Sequence, residues 1–156
     1  MITIEPPSSL SISALSKSGL TRFLNRARVA VGLQGNVDVL LADDPTLRRL
    51  NKTFRRKNKA TDVLSFPAPD EISNDHAGDL AISLETANRQ ATTYGHSLRD
   101  EVRILLLHGL LHLSGLDHEI DNGEMASREA ELRLELGLSN SLIERVSMPL
   151  KRRRTP

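Results

Sequence analysis

The chain has 156 residues, 38% hydrophobic and 26% charged, with a formal net charge of +1. This is the composition of one soluble globular domain, residues 1–156, long enough to bury a core of its own. It holds no cysteine, which excludes disulfides and thiolate metal sites and leaves nitrogen and oxygen as the only ligands for a metal. No apolar run approaches the roughly 18 residues of a membrane span, and the first residues lack the basic and apolar regions of a secretory signal. A cytoplasmic protein with no membrane partner is expected.

Residues 1–12 are rich in Ser and Pro and are expected to be irregular, as are 148–156. Leu20, Phe23, Leu24, Ala27 and Val31 follow helical spacing, with Gly32 or Gly35 as the stop. Val37 to Ala42 reads as a strand. Asp44-Pro45 has the form of an N-cap with proline in the first turn, and Leu47, Leu50 and Phe54 supply that helix with an apolar stripe. Seven basic residues and no acid lie between Arg48 and Lys59, and Lys151 to Arg154 forms a basic tail. Such clusters on a nearly neutral chain suit an anionic partner, or else are a solvated helix face and a frayed end.

Val63 to Phe66 reads as a short strand stopped by Pro67, 68–77 as a polar loop, and Asp79 to Ser83 as another strand. Ser83 can cap a helix that runs to Gly95. Ser97 with Asp100 resembles a capping box for the next helix, which should run to about Ser114 with Gly115 as its stop. A last helix is expected from Asn122 to Leu136, ending at Gly137. Between Ile104 and Leu113 every residue is aliphatic except two histidines and Gly109. A helix apolar on all sides is buried on all sides. The expected class is therefore α+β, with a small mixed sheet and helices packed around this central helix and its two histidines.

His108 and His112, four residues apart, share one face of that helix. His118 follows six residues later, beyond the terminating Gly115. Burying two imidazoles without partners costs a few kcal/mol, a penalty that a metal would remove. Three neutral imidazoles with a fourth position open to water form the pattern of a catalytic site; a hydrogen-bonded structural cluster is the alternative. The same spacing occurs in metzincin proteases, H-E-x-x-H-x-x-G-x-x-H. Here the general-base glutamate is replaced by Gly109, which cannot activate water. Met125 stands where a Met-turn could be sought, but its context reads as a helix start and a core role.

The block HGLLHLSGLDH at 108–118 resembles the signature H-G-x-L-H-L-x-G-x-D-H of the YbeY family, metal-dependent endoribonucleases of rRNA maturation. Leu50 to Pro67, LNKTFRRKNKATDVLSFP, is similar to that family's L-N-x-x-[YF]-R-x-K-[DN]-x-x-T-D-V-L-S-F-P, and Gly78 to Ile82 to its G-D-[IL]-x-I strand. The resemblance covers roughly residues 36–136. By position it implies His108, His112 and His118 as ligands of one divalent metal, with Zn2+ expected, and Arg55 as the family's functional arginine. It further implies cleavage of single-stranded RNA in 16S rRNA 3′-end maturation and ribosome quality control, with the small ribosomal subunit or ribosome-associated proteins as partners.

In this scheme Arg55 would hold the scissile phosphate and stabilise the transition state, since a planar guanidinium suits phosphate. Arg56, Lys57 and Lys59 would draw in the RNA backbone without reading sequence. Asp117 adjoins a ligand and reads as a second-sphere group orienting a histidine, or as a turn residue, rather than as the general base. The low aromatic content, 3%, argues against base stacking as the main grip on RNA. Two other functions fit parts of the pattern: a metal-dependent peptidase or other hydrolase with a displaced base, and a non-catalytic ribosome-associated factor that keeps its metal for stability.

Overall fold

A four-stranded sheet organises the chain. The computed structural model describes residues 1–13, 15–117 and 120–138, so His118 and the basic tail lie outside the described residues. Strands β1 (Ile2–Ile4), β2 (Asn36–Ala42), β3 (Val63–Pro67) and β4 (His76–Ser83) pair in the order β1-β2-β4-β3. β1, β2 and β4 run parallel and β3 is the antiparallel edge. Alternation sets the two faces. Val37, Val39 and Leu41 of β2 and Leu80 and Ile82 of β4 are buried in the main core. Ala42, Leu64 and Ala81 point the other way and pack on Leu47 in a smaller cluster.

Among the described residues, five helices cover this sheet: α1 (Lys17–Val31), α2 (Asp44–Arg55), α3 (Leu84–Tyr94), α4 (Leu98–Leu113) and α5 (Glu124–Leu136). Helix α4 is the centre, packing against α1, α3, α5, β3 and β4. Eleven of its sixteen residues are buried, as its all-round apolar sequence requires. Helix α2 lies on the opposite face, over β3 and β4. Side-chain caps start the helices: Ser16, Asp43, Ser83 and Ser97 each accept from the backbone N–H three residues on.

Several expectations change in detail. Residues 2–4 are a strand rather than irregular: Ile2 is buried and the segment pairs in register with Val39 to Leu41. The cap of α2 is Asp43, one residue earlier than expected, which leaves Asp44 in the first turn and its side chain bonded to α3. Pro67 belongs to β3, because an edge strand tolerates a residue without an N–H. β4 begins at His76, three residues before the expected start. α4 is closed by Ser114, with Gly115 at φ 101° just beyond.

Two glycines bring the site elements together. A Cβ on Gly78, whose φ is +156°, would stand 2.6 Å from the Phe66 carbonyl and 2.7 Å from Leu113 Cδ2. β3 and the end of α4 approach β4 that closely only over glycine. A Cβ on Gly109 would meet Leu80 Cδ2 at 2.7 Å. Position 109 thus faces Leu80 of the sheet.

Candidate metal centre

His108 and His112 stand one turn apart in the last two turns of α4. Their Nε2 atoms converge to 3.2 Å, with ring planes 77° apart. A tetrahedral ion with Zn–N bonds of about 2.0–2.1 Å holds two ligand nitrogens about 3.3 Å apart. The observed separation fits an ion shared between the rings.

Glu129 fixes the first of these rings. Its Oε2 lies 2.8 Å from His108 Nδ1, and both groups are buried. A carboxylate accepting this bond would put the imidazole proton on Nδ1 and turn the Nε2 lone pair toward His112. This is the carboxylate–histidine arrangement that orients a metal ligand and raises its basicity. Asp117 lies in the wall of the same cleft, and the buried carboxylate that meets His108 is Glu129. A sequence signal for Glu129 existed. Met125, Glu129, Leu132 and Leu136 lie on one face of α5 and are its buried residues, and a carboxylate in an apolar stripe demands a buried partner. Met125 is a core residue, fully buried.

The two histidines open into a cleft of about 390 Å³ between α4 and the edge strand. Val63, Ser65 and Pro67 form the β3 wall, and Arg55, from the last turn of α2, reaches in from the far side of that strand. Ser65 Oγ donates to the Gly109 carbonyl at 3.4 Å and ties the two walls together. Asp62 and Asp117 are the carboxylates of the described lining. Asp62, not singled out in the sequence, is held by the Val63 N–H at 2.7 Å and Gln90 Nε2 at 3.2 Å.

Arg56, Lys57 and Lys59 are exposed on the loop after α2 and lie outside this cleft lining. Asn51 anchors their loop: its side-chain amide donates to the Lys59 carbonyl at 3.0 Å, and the Lys57 N–H returns to the Asn51 carbonyl. Arg56 caps α2 with φ 59°, a left-handed conformation unusual for a residue with a Cβ.

Elsewhere, His96 and the buried Glu101 pair at 2.6 Å at the start of α4, far along the helix from the cleft. On the α2 face of the sheet, donor atoms of Asp38, His76 and Asp79 lie within 4.8 Å of one another. These three could hold an ion, but they are open to solvent and Asp38 already pairs with the Met1 ammonium at 3.2 Å.

Residues 7–137 match the model of the family described as endoribonuclease YbeY. The chain belongs to that family. It is 53% identical over 141 residues to the endoribonuclease YbeY of Koribacter versatilis, covering 90% of this chain and 91% of that one. It is 48% identical to that of Solibacter usitatus over 134 residues, 86% and 88% of the two chains. The solution structure of TM1509 from Thermotoga maritima shares the fold, with TM-score 0.58 and 24% identity over 87% of this chain and 89% of that one. The family match begins well before residue 36 and so takes in α1 as well as the three sequence blocks.

Proposed function

We propose that the chain is a single-strand-specific endoribonuclease acting at one divalent metal ion held by His108, His112 and His118, with Zn2+ as the ion. Membership of the endoribonuclease YbeY family makes it a hydrolase of RNA phosphodiester bonds. The observation that carries the metal assignment is the convergence of two imidazole Nε2 atoms in a cleft, one ring locked by a buried carboxylate. Bound there, the ion would lower the pKa of a water and polarise a phosphoryl oxygen.

The chain's own groups supply the remainder. Glu129 keeps His108 in the tautomer that presents Nε2. Arg55, opposite the histidines, takes the scissile phosphate in its guanidinium fork and offsets charge developing in the transition state. Asp62 and Asp117 are carboxylates of the cleft lining, and Asp117 stands beside the third histidine in sequence, where it would orient that ring. Arg56, Lys57 and Lys59 hold flanking phosphates by charge alone. The substrate is rRNA, the process 16S 3′-end maturation and ribosome quality control, and the setting the cytoplasm with the small ribosomal subunit as partner. No helix among the described residues is long and apolar enough to cross a membrane.

A peptidase with the metzincin base is disfavoured by position 109, which faces Leu80 and not the cleft. Metal analysis of the purified protein, with cleavage of unstructured RNA and of casein, tests the assignment. His112→Ala should lose metal and RNA cleavage together, and Arg55→Ala should keep metal and lose cleavage. Peptide hydrolysis with intact RNA would sink the nuclease assignment, and cleavage undiminished in Arg55→Ala would remove the arginine from the mechanism.

A further inference from the structure

Phe54 lies where α2 should bury an apolar residue. Leu47 and Leu50, on the same stripe, are buried and half-buried, yet Phe54 is 65% exposed. The chain has three phenylalanines, one tyrosine and no tryptophan. Leaving one of so few rings in water calls for an explanation, because a buried aromatic is a large source of apolar stabilisation.

The ring is not alone. It meets Phe66 edge to face, centroids 5.4 Å apart and planes at 64°. Phe66 sits on the edge strand β3 between Ser65 and Pro67, which line the metal cleft on the strand's other side. Arg55, next in sequence to Phe54, lines the same cleft. The aromatic pair and the cleft are therefore back to back across one strand, with Arg55 joining them.

Around the pair the surface is cationic. Arg48, Arg49, Lys52, Arg56, Lys57 and Lys59 are all exposed. Among the described residues none of them has a carboxylate oxygen within 4.0 Å, whereas Arg89 and Arg128 on other helices do. An exposed ring amid cations that lack acidic partners matches a strand that carries phosphates and flat apolar bases together. Stacking platforms on basic grooves are the general solution for single strands. Bases in a duplex are stacked on each other and cannot lie on a side chain.

We infer that Phe54, braced by Phe66, is a stacking platform for an unpaired nucleobase of the RNA strand whose backbone passes over β3 into the metal cleft. The inference rests on the nuclease assignment above and adds to it the source of single-strand preference. Phosphates bind the cations of α2 and its following loop, one base lies on Phe54, and Arg55 takes the phosphate that enters the cleft.

The test uses the metal-loaded full chain and a labelled RNA of fixed length in three forms: unstructured, hairpin, and with abasic sites. Phe54→Ala should weaken binding of the unstructured strand about 5- to 150-fold, the range for one stacked base of about 1–3 kcal/mol. The salt dependence should stay unchanged because phosphate contacts remain. The wild type should bind the abasic strand as weakly as Phe54→Ala binds the intact one. Phe54→Trp should restore affinity, and its indole, the chain's single tryptophan, should be quenched by the intact strand and not by the abasic one. Equal affinity of wild type and Phe54→Ala, or an equal loss on intact and abasic strands, overturns the platform while wild-type RNA cleavage still stands. A wild type that neither binds nor cleaves any of the RNAs overturns the nuclease assignment, and the platform with it.

Discussion

Replacing Glu129 by glutamine tests the proposed metal centre without touching a proposed ligand. The side chain keeps its shape and can still accept from His108 Nδ1, now at 2.8 Å from a carboxylate oxygen with both partners buried. What is lost is the charge. A hydrogen bond to a charged group contributes about 1.5–3 kcal/mol, and a neutral one about half as much. Orienting partners of metal-bound histidines typically change affinity about 10- to 100-fold, equivalent to about 1.4–2.8 kcal/mol. Glu129→Gln should therefore bind metal about tenfold more weakly, and Glu129→Ala, which leaves Nδ1 buried without its acceptor, closer to 100-fold. Competition against a chromophoric chelator measures this. Two controls fix its meaning: Glu135→Gln changes an exposed acid on the same helix, and Glu101→Gln removes the charge from the buried His96–Glu101 pair, at the far end of α4. Metal affinity within twofold of wild type in Glu129→Gln, or an equal loss in Glu101→Gln, would refute the assignment of Glu129 as the group that orients His108.

Gly109→Glu restores the protease-like H-E-x-x-H pattern in sequence but should yield no peptidase. The new side chain would be driven into Leu80 of β4, and an unpaired carboxylate buried there costs several kcal/mol; circular-dichroism melts should show a large loss of stability, and a folded variant that cleaves casein would contradict the packing. Burial opposes ionisation of Asp44, but hydrogen bonds from Ser83, Thr86 and Arg89 outweigh it and hold the carboxyl below its usual 3.8. Its folded-state pKa is depressed, so its contribution is full above pH 3.8 and is lost as pH falls through the lowered value. Urea melts down the acid limb should show that slope, reduced in Asp44→Asn; an unchanged slope in the variant would discount the network. Arg55→Lys keeps the charge and loses the planar fork, and should lower kcat for RNA about tenfold or more with metal content unchanged; a kcat equal to wild type would mean that charge alone suffices.

Much of this protein was legible from local pattern. Period-two alternation in 37–42 and caps such as Ser83 and Ser97 are written within a few residues, because strand pleat and helix ends are local physics. The aliphatic run around His108 and His112 placed those rings on a buried helix by the same logic, since a helix with no polar face has nowhere to go but the centre. Positional likeness to a family then supplied the chemistry that spacing alone left open between protease, nuclease and structural cluster.

Long-range partners were another matter. Glu129 lies 21 residues from His108 and joins it only because α5 packs on α4. Its place in an apolar stripe announced a need for a partner without naming one. Gly109 read as a missing base; the sheet gives it a positive role, because a Cβ there would force the Leu80 side chain to shift. Phe54 matched the α2 stripe in sequence, so periodicity assigned it to the core, yet it lies exposed over the edge strand β3, against Phe66. The residues 2–4 strand was hidden for a similar reason: three residues carry too little pattern, and their order comes from pairing with β2 more than thirty residues away. Sequence by itself determined the helices, most of the strands and which histidines share a face, since these depend on neighbours along the chain. Only the tertiary structure decided which carboxylate meets which imidazole, where Arg55 enters the cleft, and which aromatic faces solvent, since these depend on how far one element extends over another.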